Sequence, residues 1–306
     1  MECVLGHNNI KEELFNDIPM YCCISCRLVW RQTFDVPIAR YEDKEIRVYE
    51  TKINDRLANS LDRIKTIRKY VDLNNICDIG SGEGAFLNAL AQFGYTNSVG
   101  IEPSNKSVEF AVEHGLCMEN GTIEDVARVV AKYNLHTFTM FHLIEHLPNP
   151  LVAVQKLFNI MQQKDKLVIE TPNFDSYVFH RVNYKHNLIC SEHLFYFNEN
   201  NLQLLLEKVG FSVVVHGKRD FYGLNSSIRT FLFKLRFGKM SGHRNANDAN
   251  NVKLYFTNES NFKRKDSINI YANLINVFKK SVRLVLRKLV HLLGREDYMW
   301  FVVQKL

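Results

Sequence analysis

Residues 76–91 constrain the fold of this chain more than any other stretch. A short run, Ile76-Cys77-Asp78-Ile79, breaks into three alternating glycines, Gly80, Gly82 and Gly84. A helical pattern, Ala85-Phe86-Leu87-Asn88-Ala89-Leu90-Ala91, follows at once. Strand, glycine turn and helix together bring backbone N–H groups to the carboxyl end of a parallel strand. Glycine suits the turn because a Cβ would block close approach and disfavour a positive φ. A second strand, Asn97-Ser98-Val99-Gly100-Ile101, ends in Glu102. An acid about 20 residues beyond such glycines stands where a ribose diol is held. The spacing is G-x-G-x-G rather than G-x-G-x-x-G, and Asp78 precedes the first glycine by two residues. A carboxylate there repels a pyrophosphate but suits a ligand that carries an ammonium group.

Asp78-Ile79-Gly80-Ser81-Gly82-Glu83-Gly84 resembles the first motif of class I S-adenosylmethionine-dependent methyltransferases, and Val99-Gly100-Ile101-Glu102-Pro103-Ser104 resembles their second. The likeness continues through 141–150, 167–173, 192–197 and 205–211, in the order of a subfamily acting on sugars, quinones and glycan precursors. It implies a Rossmann-like α/β fold, a doubly wound seven-stranded sheet whose last strand is antiparallel. It also implies that the Gly80, Gly82 and Gly84 backbone packs on the methionine part of the cofactor, with Asp78 near its amino group. By the same resemblance Glu102 takes the ribose hydroxyls, Ile123 and Glu124 lie beside the adenine, and His142 belongs to the cofactor pocket.

Alternation of apolar runs and helical periods places strands near 76–79, 97–101, 116–118, 137–142, 166–171 and 212–216. Helices are expected at 84–93, 104–114, 122–132, 150–162 and 199–209, the fourth opened by Asn149-Pro150. Residues 41–75 read as helical, with Leu57, Leu61, Ile64, Ile67 and Val71 on one stripe. These boundaries divide the chain into an irregular cysteine-bearing segment, 1–40, and a methyltransferase domain, 41–306. Within the latter, 173–198 reads as a lid and 218–297 as a helical insertion. The resemblance puts a final strand at Met299–Gln304, antiparallel beside the sixth.

Methyl transfer needs an in-line nucleophile, exclusion of water and a proton acceptor. Candidate bases are His142, Glu145 and His146 after the fourth strand, and His193 in the lid. Histidine suits the task because its pKa lies near neutrality. His193 is the first candidate and His146 the second; for Glu145 and His146, bracing of the loop that closes the cofactor pocket is the favoured reading. Glu192-His193-Leu194-Phe195-Tyr196-Phe197 also resembles sugar C-methyltransferases, which place a tyrosine, the glutamate and the histidine at the reacting sugar. Glu192 and His193 match; Cys190 stands at the tyrosine position, and the large carboxyl-terminal domain of those enzymes is lacking. Both departures favour transfer to oxygen.

Cys23-Ile24-Ser25-Cys26 looks like half of a zinc-binding knuckle found in relatives. Four ligands close a structural zinc site, and upstream only Cys3 and His7 are available, at C-x-x-x-H spacing. A remnant knuckle with buried thiols is the competing reading. Cys77 and Cys117 read as packing residues in strands. A third feature, 268–293, reads as an amphipathic helix crowded with Lys279, Lys280, Arg283, Arg287 and Lys288. Such a helix packs on its own domain or lies on an anionic membrane surface. Aromatic residues are not interleaved with this run, which argues against nucleic acid. There is no signal-peptide pattern and no run of 18 apolar residues, so a cytoplasmic site is expected, with peripheral contact at the inner membrane face through 268–293. Seven cysteines in such a chain are expected as reduced thiols. The expected activity is O-methylation of a nucleotide- or lipid-linked sugar or glycan precursor. The rivals are a quinone or other small-molecule methyltransferase and a non-catalytic membrane-associated partner that keeps the fold.

Overall fold

A computed structural model describes residues 1–15, 17–34, 53–176, 179, 189–190, 192–219 and 296–306. The expected basic helix 268–293, nearly all of the insertion 218–297, residues 41–52 and part of the lid 173–198 lie outside the described residues.

The central strand β4 (Ile76–Ile79) is buried along its whole length. It pairs in parallel with β5 (Ser98–Glu102) on one side and β7 (Thr137–Phe141) on the other. On the first side β5 pairs with the short β6 (Met118–Asn120), and on the second β7 pairs with β8 (Lys166–Pro172), both in parallel. The strand β11 (Tyr298–Lys305) runs antiparallel to both β8 and β10 (Phe211–Arg219), so the sheet order is β10-β11-β8-β7-β4-β5-β6. The last strand therefore adjoins the sixth, as expected, and separates it from the fifth. Strand order reverses at β4, which opens a crevice beyond the carboxyl ends of β4 and β7.

Helices cover both faces. On one face α1 (Ile53–Ile67), α2 (Ala85–Gln92) and α3 (Asn105–Glu113) bury Ile64, Ile67, Leu87, Leu90 and Ala111 against Ile76, Val168 and Val302. On the other, α4 (Val126–Tyr133), α5 (Pro150–Ile160) and α6 (Glu199–Val209) bury Val126, Val129, Val154, Leu157 and Leu202 against Ile79, Val99, Ile101 and Phe138. Local chemistry sets the ends. Ser104 and Asn149 accept from the backbone N–H groups of Ser107 and Val152, Pro150 opens α5, and Asn198 forms a reciprocal cap with Asn201. The helix expected over 122–132 splits into a 3-10 turn, Ile123–Asp125, and α4. The Thr122–Asp125 capping box starts a tighter turn first.

The amino terminus departs from the irregular segment expected. Strands β1 (Ile10–Phe15), β2 (Ile18–Cys23) and β3 (Val29–Arg31) form an antiparallel sheet, completed by the two-residue β9 (Phe195–Tyr196). Four consecutive residues of β1 face solvent, so pairing rather than burial holds the strand, and no alternating pattern marks it. Cys3, Cys23, Cys26, Leu28 and Trp30 share the core of the α4–α6 face. Cys77 is buried as expected. Cys117 is exposed, because β6 starts one residue later and the preceding turn faces solvent. No described helix is long and apolar enough to cross a membrane.

Candidate active site

The glycine turn after β4 has the backbone that its spacing predicts. Gly80, Gly82 and Gly84 all have positive φ, at 73°, 56° and 75°. At Gly80 a Cβ would also stand 3.0 Å from Leu143, whereas one at Gly82 would meet nothing within 4 Å, because that residue borders open space. Gly82 N–H donates to Glu102 Oε2 at 3.0 Å, and Ser104 N–H donates to Glu102 Oε1 at 3.1 Å. These two bonds fix the acid at the tip of β5 against the turn.

A cavity of about 280 Å³ opens over this turn. Asp78, Gly80, Gly82, Phe141 and His142 line it, together with Arg56, Asn59, Ser60 and Arg63 from α1. Glu102, Ile123 and Glu124 lie outside its lining. Ile123 packs on the core, and the exposed Glu124 pairs with Lys156. Asp78 is buried and accepts from Thr139 Oγ1 at 2.6 Å. Burial pushes its carboxyl up to about 6, against the opposing pull of Thr139, Ser81 and Arg63.

Behind the cavity lies a buried charge network. Glu170 of β8 accepts from Arg63 at 2.7 and 3.0 Å and from Arg219 Nη2 at 2.8 Å, with Arg219 Nε 2.6 Å from its other oxygen as an ion pair. His142 bridges two carboxylates, with Nε2 3.1 Å from Glu170 and Nδ1 3.3 Å from Glu145. It takes this position from a left-handed backbone, φ 56°, unusual for a residue with a side chain. Burial opposes a charge on its ring, yet the two carboxylates prevail and its pKa is raised. Burial likewise opposes a charge on Glu145 and Glu170. His142 outweighs it at Glu145, which falls to about 2, and Arg63 with His142 holds Glu170 well below the carboxylate range.

The two candidate bases meet. The rings of His146 and His193 stand edge to face, 4.7 Å between centroids, and one nitrogen of each lies within 4.8 Å of a Glu145 carboxylate oxygen. His146 Nδ1 is 2.8 Å from the Glu192 carbonyl, to which it donates. Leu194 N–H donates to Glu145 O at 2.8 Å and fixes the lid segment to the β7 loop. Tyr196, on β9, lies 6.0 Å from His193 by ring centroid, and its hydroxyl reaches the Cys190 carbonyl at 3.5 Å. Glu192 is half-buried and enters this group through its carbonyl. The amino-terminal candidates also converge: ligand atoms of Cys3, His7, Cys23 and Cys26 all lie within 4.8 Å of one another.

Sequence reasoning missed Arg56, Ser60 and Arg63 on α1, and Glu170 and Thr139 in the strands. The α1 residues had a signal: a polar stripe at three- and four-residue steps beside the apolar one. Glu170 had none, because its partners are far away in sequence.

Fold and glycine turn together define a Rossmann-like S-adenosylmethionine-dependent methyltransferase. Residues 46–216 match the model of the methyltransferase-domain family, and the chain belongs to that family. The sequence matches no protein of curated function. Among solved structures, it is similar to a SAM-dependent methyltransferase from Archaeoglobus fulgidus at 18% identity and a TM-score of 0.53, over 86% of this chain and 100% of that one. A SAM-dependent methyltransferase from Thermotoga maritima aligns at 13% identity and a TM-score of 0.50, over 87% and 99%. At these identities the likeness is one of fold. The residues present fit the cofactor. An open glycine turn and the buried Asp78 carboxylate border one cavity, whose wall carries Arg56 and Arg63 paired with Glu83 and Glu170; such a lining would accommodate a methionine moiety.

Proposed function

We propose that the protein transfers a methyl group to a hydroxyl of a sugar or glycan precursor, with His193 as general base. The observation that carries this reading is the His146–His193 pair set against the buried carboxylate of Glu145. When bound, S-adenosylmethionine supplies an electrophilic methyl on a sulfonium. The chain must then orient the acceptor and remove its proton. A hydroxyl is a poor nucleophile until that proton leaves, so a positioned imidazole is worth about 10²- to 10⁴-fold in rate. His193 takes the proton. The Glu145 carboxylate stabilises the resulting imidazolium, and His146, held through Nδ1 on the Glu192 carbonyl, offers Nε2 to the same proton. Asp78 would meet the cofactor's ammonium and Glu102 its ribose hydroxyls, with Ile123 and Glu124 beside the adenine; His142 lines the pocket between Glu145 and Glu170.

The likeness of 192–197 to sugar methyltransferases supports the acceptor class, and Cys190 in place of their tyrosine supports oxygen over carbon. A lipid-linked acceptor would set the enzyme at the cytoplasmic face of a membrane. The test is formation of S-adenosylhomocysteine with a panel of nucleotide sugars and, separately, quinols. Turnover on a nucleotide sugar supports the reading, and turnover on quinols alone overturns it.

A further inference from the structure

We propose that Cys3, His7, Cys23 and Cys26 hold a structural zinc ion that braces the acceptor side of the active site. The bracing part rests on the reading of His193 as the acceptor-side base.

Distances argue for a metal. Cys3 Sγ is 3.9 Å from Cys26 Sγ and 3.5 Å from His7 Nδ1, and Cys23 Sγ is 3.7 Å from the same nitrogen. Tetrahedral zinc with bonds of about 2.3 Å to sulfur and 2.0–2.1 Å to nitrogen has edges of about 3.8 Å between sulfurs and 3.5 Å between sulfur and nitrogen. These three separations lie within about 0.2 Å of such edges, and all four ligand atoms lie within 4.8 Å of one another. A disulfide would need sulfurs about 2.05 Å apart. Two tight turns present the ligands: Gly6 N–H donates to Cys3 O at 2.8 Å, and Arg27 N–H donates to Cys23 O at 2.8 Å. The three cysteines are buried and His7 is half-buried, so the site is closed, as structural zinc requires. A set of three sulfurs and an imidazole is soft and favours zinc over hard cations.

The site's connections lead to the acceptor side. Asn201 Nδ2 donates to Cys26 O at 3.2 Å, which fastens the second turn to α6. Beyond that turn β3 pairs with β9, and Arg31 N–H donates to Leu194 O at 2.9 Å, next to His193. None of the four ligands lines the cavity over the glycine turn. Loss of the metal should therefore loosen 193–197 and spare the cofactor cleft.

The experiment measures zinc in the purified native protein by mass spectrometry, then strips it with a chelator under mild denaturation and follows amide hydrogen exchange. The expected results are one zinc per chain, its loss in Cys23→Ser/Cys26→Ser, and amide exchange in 193–197 at least about tenfold faster after stripping. Protection of 80–84 by added S-adenosylmethionine should persist. If the variant fails to fold, cobalt substitution of the native protein tests the ligand set through its thiolate charge-transfer band. Absence of zinc together with absence of that band overturns the site. Zinc present with unchanged exchange at 193–197 overturns the bracing. Loss of cofactor protection in the untreated protein would instead strike at the methyltransferase reading.

Discussion

His142 stands between Glu145 and Glu170, its two ring nitrogens 3.3 and 3.1 Å from their carboxylates. One imidazole thereby joins the cofactor cavity, which it lines, to the carboxylate that sits behind His146 and His193. On the proposed reading, that side chain links the methyl-donor side of the site to the acceptor side.

His193→Ala should lower turnover by about 10²- to 10⁴-fold and leave cofactor affinity within about twofold. Steady-state rates and calorimetric titration of the same preparation separate the two quantities. Wild-type turnover would remove His193 as the base.

Asp78 gives a pH dependence with a definite sign. Its folded pKa of about 6 lies above the ordinary value of 3.8, so the carboxyl gains a proton as pH falls through about 6. Affinity for the methyl donor should then fall below about pH 6, since a neutral acid cannot pair with the ammonium. The same shift makes Asp78 favour the ligand-free fold at low pH, a contribution lost as pH rises through about 6. Asp78→Asn should flatten the affinity profile, and calorimetry across pH 5–8 checks it.

Glu102→Ala should weaken cofactor binding about 10- to 100-fold, the worth of charge-assisted bonds of about 1.5–3 kcal/mol. It also removes the acceptor of the Gly82 N–H. The chain should remain folded by circular dichroism. Unchanged affinity would displace Glu102 from the ribose.

Glu170→Ala leaves Arg63, Arg219 and His142 without their shared carboxylate in the interior. Breaking a buried pair from one side costs about 3–5 kcal/mol. Urea unfolding monitored by fluorescence should show a loss of that size, and a loss below about 1 kcal/mol would contradict the network's structural role.

The parallel strands and their helices were legible because each carries its own period over contiguous residues, as in Ile76–Ile79 followed by Ala85–Gln92. Glu102 and the glycine turn were legible because one loop's spacing encodes them. The four-stranded amino-terminal sheet was not, since β1 buries little and β9 has only two residues. The His142 bridge was half legible: spacing put Glu145 near it, but the left-handed backbone and the contact to Glu170 arise from tertiary packing. The convergence of Cys3 and His7 on Cys23 and Cys26 likewise depends on two turns meeting, and spacing alone left it open.

Titration calorimetry with S-adenosylmethionine at neutral pH tests the central claim most directly, run on the native chain and on Asp78→Asn and Glu102→Ala. Saturable binding at one site, weakened about tenfold or more by each substitution, is the predicted result. No heat from the native chain, or equal affinity in all three proteins, would contradict the assignment of the glycine cleft to the methyl donor.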